Sequence, residues 1–105
     1  MEFGAMMDRV REFHQKHDFK NTGGEEMKYR VCLMAEELGE ISAAVTKGKP
    51  AEELAEEIAD LLILVMGCGI ALDFDLEAEF EKKMEKLMKR PAKFVNGVIR
   101  VTDHK

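Results

Sequence analysis

Apolar residues recur along most of this chain at three- and four-residue steps, the spacing of one face of a helix. From Glu2 to His17, the residues Phe3, Met6 or Met7, Val10 and Phe13 fall on such a stripe. The stripe then stops, and Asp18 to Gly24, with Asn21, Thr22, Gly23 and Gly24, reads as a loop. The helical period resumes from about Glu25 to Lys47, where Val31, Met34, Leu38, Ile41 and Val45 form the apolar face. Gly48 suits the position just past that helix, and Pro50 suits the first position of the next, which runs to about Leu72. Asp73 or Asp75 can cap a fourth helix that ends by Pro91. After it the period changes to two. Asn96-Gly97 stands between Phe94-Val95 and Val98-Ile99, a pattern that predicts a two-stranded hairpin. The expected fold is therefore all-α: a four-helix bundle with a short C-terminal β-hairpin, forming one domain over residues 1–105.

Composition narrows the function classes. The 21 acidic and 16 basic residues leave a formal net charge of −5. That balance argues against binding a nucleic-acid polymer, which calls for a basic face. The longest apolar run, Leu61 to Leu72, is too short to span a bilayer. Asp8, Arg9 and Arg11 break up any signal-peptide h-region, so a cytoplasmic location without membrane attachment is expected. Cys32 and Cys68 lack the spacing of a zinc site and read as two buried thiols in a reducing compartment.

The informative polar residues are carboxylates on consecutive helices. Glu36, Glu37 and Glu40 fall within an arc of about 100° on the second helix, and Glu37 lies between Leu33 and Ile41 on the wheel. On the third helix, Glu57 precedes Asp60 by one turn, and Asp60 opens the apolar run. Each helix thus offers an i, i+3 pair, Glu37 with Glu40 and Glu57 with Asp60. A short connection predicts that the two helices pack antiparallel. Four carboxylates brought together in a partly buried place repel one another, and a divalent cation removes that cost. An all-oxygen set without cysteine or histidine favours Mg²⁺, with Mn²⁺ as the alternative. Glu52, Glu53, Glu79, Glu81 and Glu85 read as a solvated helix surface.

The pattern Glu36-Glu37-x-x-Glu40, a spacer, then Glu57-x-x-Asp60 resembles the signature of the MazG-like, all-α nucleotide pyrophosphohydrolases. The resemblance covers about Lys28 to Pro91. It implies hydrolysis of a nucleoside triphosphate to monophosphate and pyrophosphate. It also implies that Glu37, Glu40, Glu57 and Asp60 bind Mg²⁺, with Glu36 nearby as a further ligand or as the base. In the mechanism this suggests, a free carboxylate, Glu36 or Glu40, orients or deprotonates the attacking water. The family's basic motif on the fourth helix is similar to Lys83-Met84-Glu85-Lys86-Leu87-Met88-Lys89-Arg90. Lys83 and Arg90 match and would balance charge on the leaving pyrophosphate. Leu87 stands where the family carries an asparagine, which removes an amide that could contact the nucleotide. His14, near the end of the first helix, is either a surface histidine or, as in related chains, part of a base pocket. Phosphoribosyl-ATP pyrophosphohydrolase shares the fold and metal motif and is the nearest alternative. A helical regulatory module that keeps the fold without turnover is the other.

The third helix bears on assembly. Ile58, Leu61, Leu62, Ile63 and Val65 cover well over half of its circumference, more than three neighbouring helices of one small chain need to cover. A homo-oligomer is expected, a dimer or a dimer of dimers, as the resemblance also implies.

Overall fold

The computed structural model describes residues 1–101. The last four positions of the single domain expected over 1–105 lie outside the described residues. The chain is mostly helical. Its elements are α1 (Phe3–Lys16), α2 (Phe19–Thr22), α3 (Met27–Thr46), α4 (Ala51–Ala71), α5 (Leu76–Lys89), β1 (Ala92–Val95) and β2 (Val98–Val101). They fall into two compact units, Met1–Phe74 and the residues from Asp75 onward.

In the first unit α3 packs along α4, and α1 rests on α4 and α2. Arg30 near the start of α3 reaches Leu64 late in α4, while Glu40 late in α3 meets Glu57 early in α4. Positions that advance along α3 therefore recede along α4, so the pair is antiparallel, as the short connection predicts. Local chemistry closes the connection. Gly48 takes φ +67°. Gly48 N–H donates to Val45 O and Lys49 N–H to Ala44 O, at 3.1 and 2.9 Å. This is a Schellman closure, which a glycine makes at least cost. Pro50 sits one position earlier than expected, at the N-cap of α4 with ψ 157°. Its extended backbone turns the chain before the helix begins. The far end of α4 closes the same way, with Asp73 in the left-handed position at φ 55°. Phe74 N–H donates to Gly69 O at 3.0 Å.

Four expectations need correction. The stretch 18–24 is not wholly a loop, because Phe19–Thr22 forms a helical turn. The Phe19 ring lies 5.3 Å from that of Phe13 and 4.9 Å from His14, and this anchor orders the turn. The buried residues of α1 are Met7, Val10 and His14, whereas Phe13 is exposed. In α3 the expected apolar face is not the buried one. Val31, Leu38 and Val45 are 53, 59 and 59 % exposed, while Arg30 and Ala44 are buried. Neither thiol is deeply buried either. Cys32 is exposed on α3 and Cys68 half-buried, its Sγ 3.4 Å from Leu64 O.

In the second unit Asp75 caps α5 by accepting from Ala78 N–H at 3.0 Å. The hairpin pairs Phe94 with Ile99 and Val95 with Val98, antiparallel. Asn96 and Gly97 take φ 53° and 79°. Two consecutive positive values are what a type I′ turn needs, and Asn-Gly supplies them cheaply. Among the described residues no helix is long and apolar enough to cross a membrane.

Candidate metal centre and its flanking cavities

The i, i+3 pairs meet where α3 and α4 cross. Glu37, Glu40 and Glu57 each bring one carboxylate oxygen to within 4.8 Å of the others. Asp60 joins through Glu37, to which it offers a hydrogen-bond acceptor. Glu40 and Asp60 are exposed, and Glu37 and Glu57 are half-buried. Asp60 is therefore not the buried carboxylate that its place in an apolar run suggests. The buried oxygens belong to Glu37 and Glu57. Glu37 Oε1 and Glu57 Oε2 are sealed from solvent, and among the described residues neither has a hydrogen-bond partner.

The electrostatics follow from this crowding. Glu37 is pushed up to about 8, first because its protonated form can hydrogen-bond Glu40. Burial comes next, followed by the hydrogen bond to Asp60 and the charges of Glu40 and Glu57. Glu57 is also raised, first by a hydrogen bond with Glu40 and then by burial, while its hydrogen bond with Glu37 acts in the opposite sense. Orphaned buried carboxylate oxygens and mutually raised acids describe a site short of positive charge. The donor set is all oxygen. A hard divalent cation fits these residues, and it would satisfy the two oxygens that no protein group reaches.

Glu36 stands at the edge of the cluster, on a cavity of about 720 Å³ shared with Glu37 and Asp60. The rest of that cavity is almost entirely apolar, walled by Val10, Phe13, Leu33, Leu62 and Ile63, with Arg9 as its one basic lining residue. A second cavity of about 630 Å³ also borders Phe13, Leu33, Ile63 and Leu64. Phe19, Tyr29, His14 and Arg30 also line it, beside Thr22, Gly23 and Gly24. His14 is no surface histidine. It is 3 % exposed, and its Nδ1 lies 2.8 Å from Glu25 Oε2. A carboxylate there accepts, so Nδ1 carries the proton that it donates. Lys83 and Arg90 lie on the second unit, two turns apart at the middle and the C-cap of α5, with Lys83 exposed.

Sequence reasoning missed Arg30 and Glu25. Arg30 is 2 % exposed and donates to Gly24 O at 2.9 Å and Leu64 O at 2.7 Å. A methyl group at the buried Gly67 would collide with its Nη2 and come within 2.7 Å of His14 Nε2. That glycine lets α4 approach both polar side chains. The available signal was the seven-residue step from Arg30 through Glu37 to Ala44, which marks one helix face irrespective of polarity.

The sequence matches the family model described as the MazG nucleotide pyrophosphohydrolase domain over residues 26–94, a span that contains the whole carboxylate cluster. No match is found among curated proteins, and none among solved structures.

Proposed function

The chain belongs to the MazG nucleotide pyrophosphohydrolase family, and from that premise we propose that it hydrolyses a nucleoside triphosphate between the α and β phosphates, releasing monophosphate and pyrophosphate. The observation that carries the reading is the cluster of Glu37, Glu40 and Glu57, with two buried oxygens left unpartnered. Together with Asp60 these residues would hold Mg²⁺, or Mn²⁺ in its place. Such a cation supplies charge neutralisation on phosphate oxygens and makes a nearby water more acidic.

The chain's own residues do the rest. Glu36 lies outside the cluster of three but on the cavity it shares with Glu37 and Asp60, so its carboxylate is free to take the proton of the attacking water. Glu40 is the alternative base. The apolar cavity beyond Glu36 accepts the nucleoside and excludes water around Phe13, Leu62 and Ile63. His14, held by Glu25, backs the aromatic wall of the neighbouring cavity and positions Phe19.

The working unit is a homo-oligomer, a dimer or a dimer of dimers. Its support is the exposed heptad Val31, Leu38 and Val45 on α3, with Ile58, Leu62 and Val65 exposed on α4. The protein acts in the cytoplasm on small nucleotides, without nucleic-acid polymer or membrane.

The test is a panel of nucleoside triphosphates with Mg²⁺, reading pyrophosphate and orthophosphate separately. Pyrophosphate with monophosphate is expected, and single orthophosphate release would exclude the reading. Mg²⁺ should also raise the melting temperature, because a ligand bound only by the native state stabilises it. Asp60→Asn should remove most of that rise.

A further inference from the structure

The carboxylate cluster borders two cavities that have no lining residue in common. Glu37 faces the apolar space described above. Glu40 and Glu57 face a smaller one of about 320 Å³, whose other charged walls are Lys47, Lys49, Glu53 and Glu56. Apart from two alanines, every side chain lining it is charged.

Lys47 and Lys49 leave the turn between α3 and α4, and that turn is not free to wander. Lys47 N–H donates to Ala43 O at 3.0 Å, and the Gly48 and Lys49 bonds described above tie down the next two residues. Neither lysine is ion-paired among the described residues, although four glutamates line the same cavity. Glu40 and Glu57 belong to the cluster. Glu53 lies in the first turn of α4, where the helix dipole already favours a negative charge. Two cations thus stand beside the carboxylates without a protein partner.

We propose that this cavity receives the pyrophosphate end of the substrate, with Lys47 and Lys49 contacting its oxygens. The substrate then lies across the cluster with its nucleoside toward Phe13 and Ile63. This rests on the hydrolysis proposed above and deepens it. A base finds no aromatic side chain to stack on in this cavity, whose only apolar side chains are the methyl groups of Ala43 and Ala44. A cation-complexed pyrophosphate carries both signs of charge, as do the walls. Lysine suits the task because its ammonium is a compact point charge that meets phosphate oxygens from many directions.

The experiment uses the full chain and the double variant K47A/K49A, which keeps Gly48 and Pro50 and so the turn. Calorimetry measures inorganic pyrophosphate with Mg²⁺, then a nucleoside monophosphate with Mg²⁺. Electron paramagnetic resonance measures Mn²⁺ alone. Pyrophosphate affinity should fall about tenfold, the worth of one net charge-assisted contact. Monophosphate affinity should stay the same. Mn²⁺ alone should bind as tightly or more tightly, because two repelling cations have gone. K47R/K49R should keep the pyrophosphate affinity. Unchanged pyrophosphate binding in K47A/K49A, or an equal loss for monophosphate, overturns the inference while leaving the hydrolysis intact. A parent protein that binds Mn²⁺ but releases no pyrophosphate from any triphosphate overturns the hydrolysis instead.

Discussion

One face of α3 carries Arg30, Glu37 and Ala44 and lies against α4. The face about 100° round carries Val31, Leu38 and Val45, and each of these is more than half exposed. Arginine and glutamate have gone inside, and the branched aliphatics have stayed out. Neither arrangement is stable by itself. A buried carboxylate oxygen without a partner costs free energy, and so does a row of apolar side chains facing water. The two faces are incomplete in different ways. The inner face gathers carboxylates that a cation would neutralise at Glu37 and Glu57, and the outer face presents apolar side chains that a second apolar surface would cover. The first deficit fits chemistry and the second fits assembly.

The largest expected effect breaks the inner face. Glu57→Gln should lower kcat/KM by about 10³-fold, the scale for losing one group that stabilises developing charge. The same change should raise the melting temperature of the metal-free protein, since one repelled charge has gone. A metal-free variant that melts lower would mean that Glu57 is a structural residue. The outer face is broken by Leu38→Glu. A central interface residue is worth about 2–4 kcal/mol, or roughly thirty- to a thousandfold in the dissociation constant. Light scattering at micromolar concentration should then report single chains, and an unchanged mass would remove this face from the interface.

A smaller effect sharpens the role of Arg30. Arg30→Lys replaces the fork that serves Gly24 O through Nη1 and Leu64 O through Nη2 with a single ammonium on a shorter stem, and losing one hydrogen bond from a charged group costs about 1.5–3 kcal/mol. Thermal unfolding should show a drop of several degrees, whereas an unmoved midpoint would mean that the polar seam needs no fork-shaped donor. The smallest effect is a pH slope. Glu37 is raised in the folded chain to about 8 from an ordinary value of 4.5. Between those two values the folded state holds a proton that the unfolded state has lost. Metal-free stability should therefore fall as pH rises through this window, and excess Mg²⁺ should flatten the slope while releasing protons. Melting curves at pH 5, 6, 7 and 8, with and without Mg²⁺, measure it. A metal-free midpoint that rises across the window contradicts the crowded-carboxylate account.

Much of this was legible in the residues because it is local. Helix limits follow from Gly48, Pro50, Asp75 and Pro91, which act on the backbone beside them. Asn96-Gly97 selects its turn through its own dihedral angles. Glu37 with Glu40 and Glu57 with Asp60 share a face because three residues make nearly one turn. The antiparallel crossing follows from a short connection, and with it the meeting of the pairs.

Other features depended on what lies opposite. Periodicity says which residues of α3 share a face, but not which face a neighbour will cover. Here Gly67 leaves α4 thin enough for Arg30 and His14 to lie against it, so packing followed the fit between helices and not the polarity of the stripe. The same tertiary choice buried oxygens of Glu37 and Glu57, left Asp60 exposed, and turned Val31, Leu38 and Val45 outward. The sequence by itself determined the four long helices, the hairpin and the carboxylate pairs, because the forces that make them act within a few residues. The tertiary structure alone decided which carboxylates lost water and which apolar face was left uncovered, because burial belongs to the pair of surfaces that meet and not to either one.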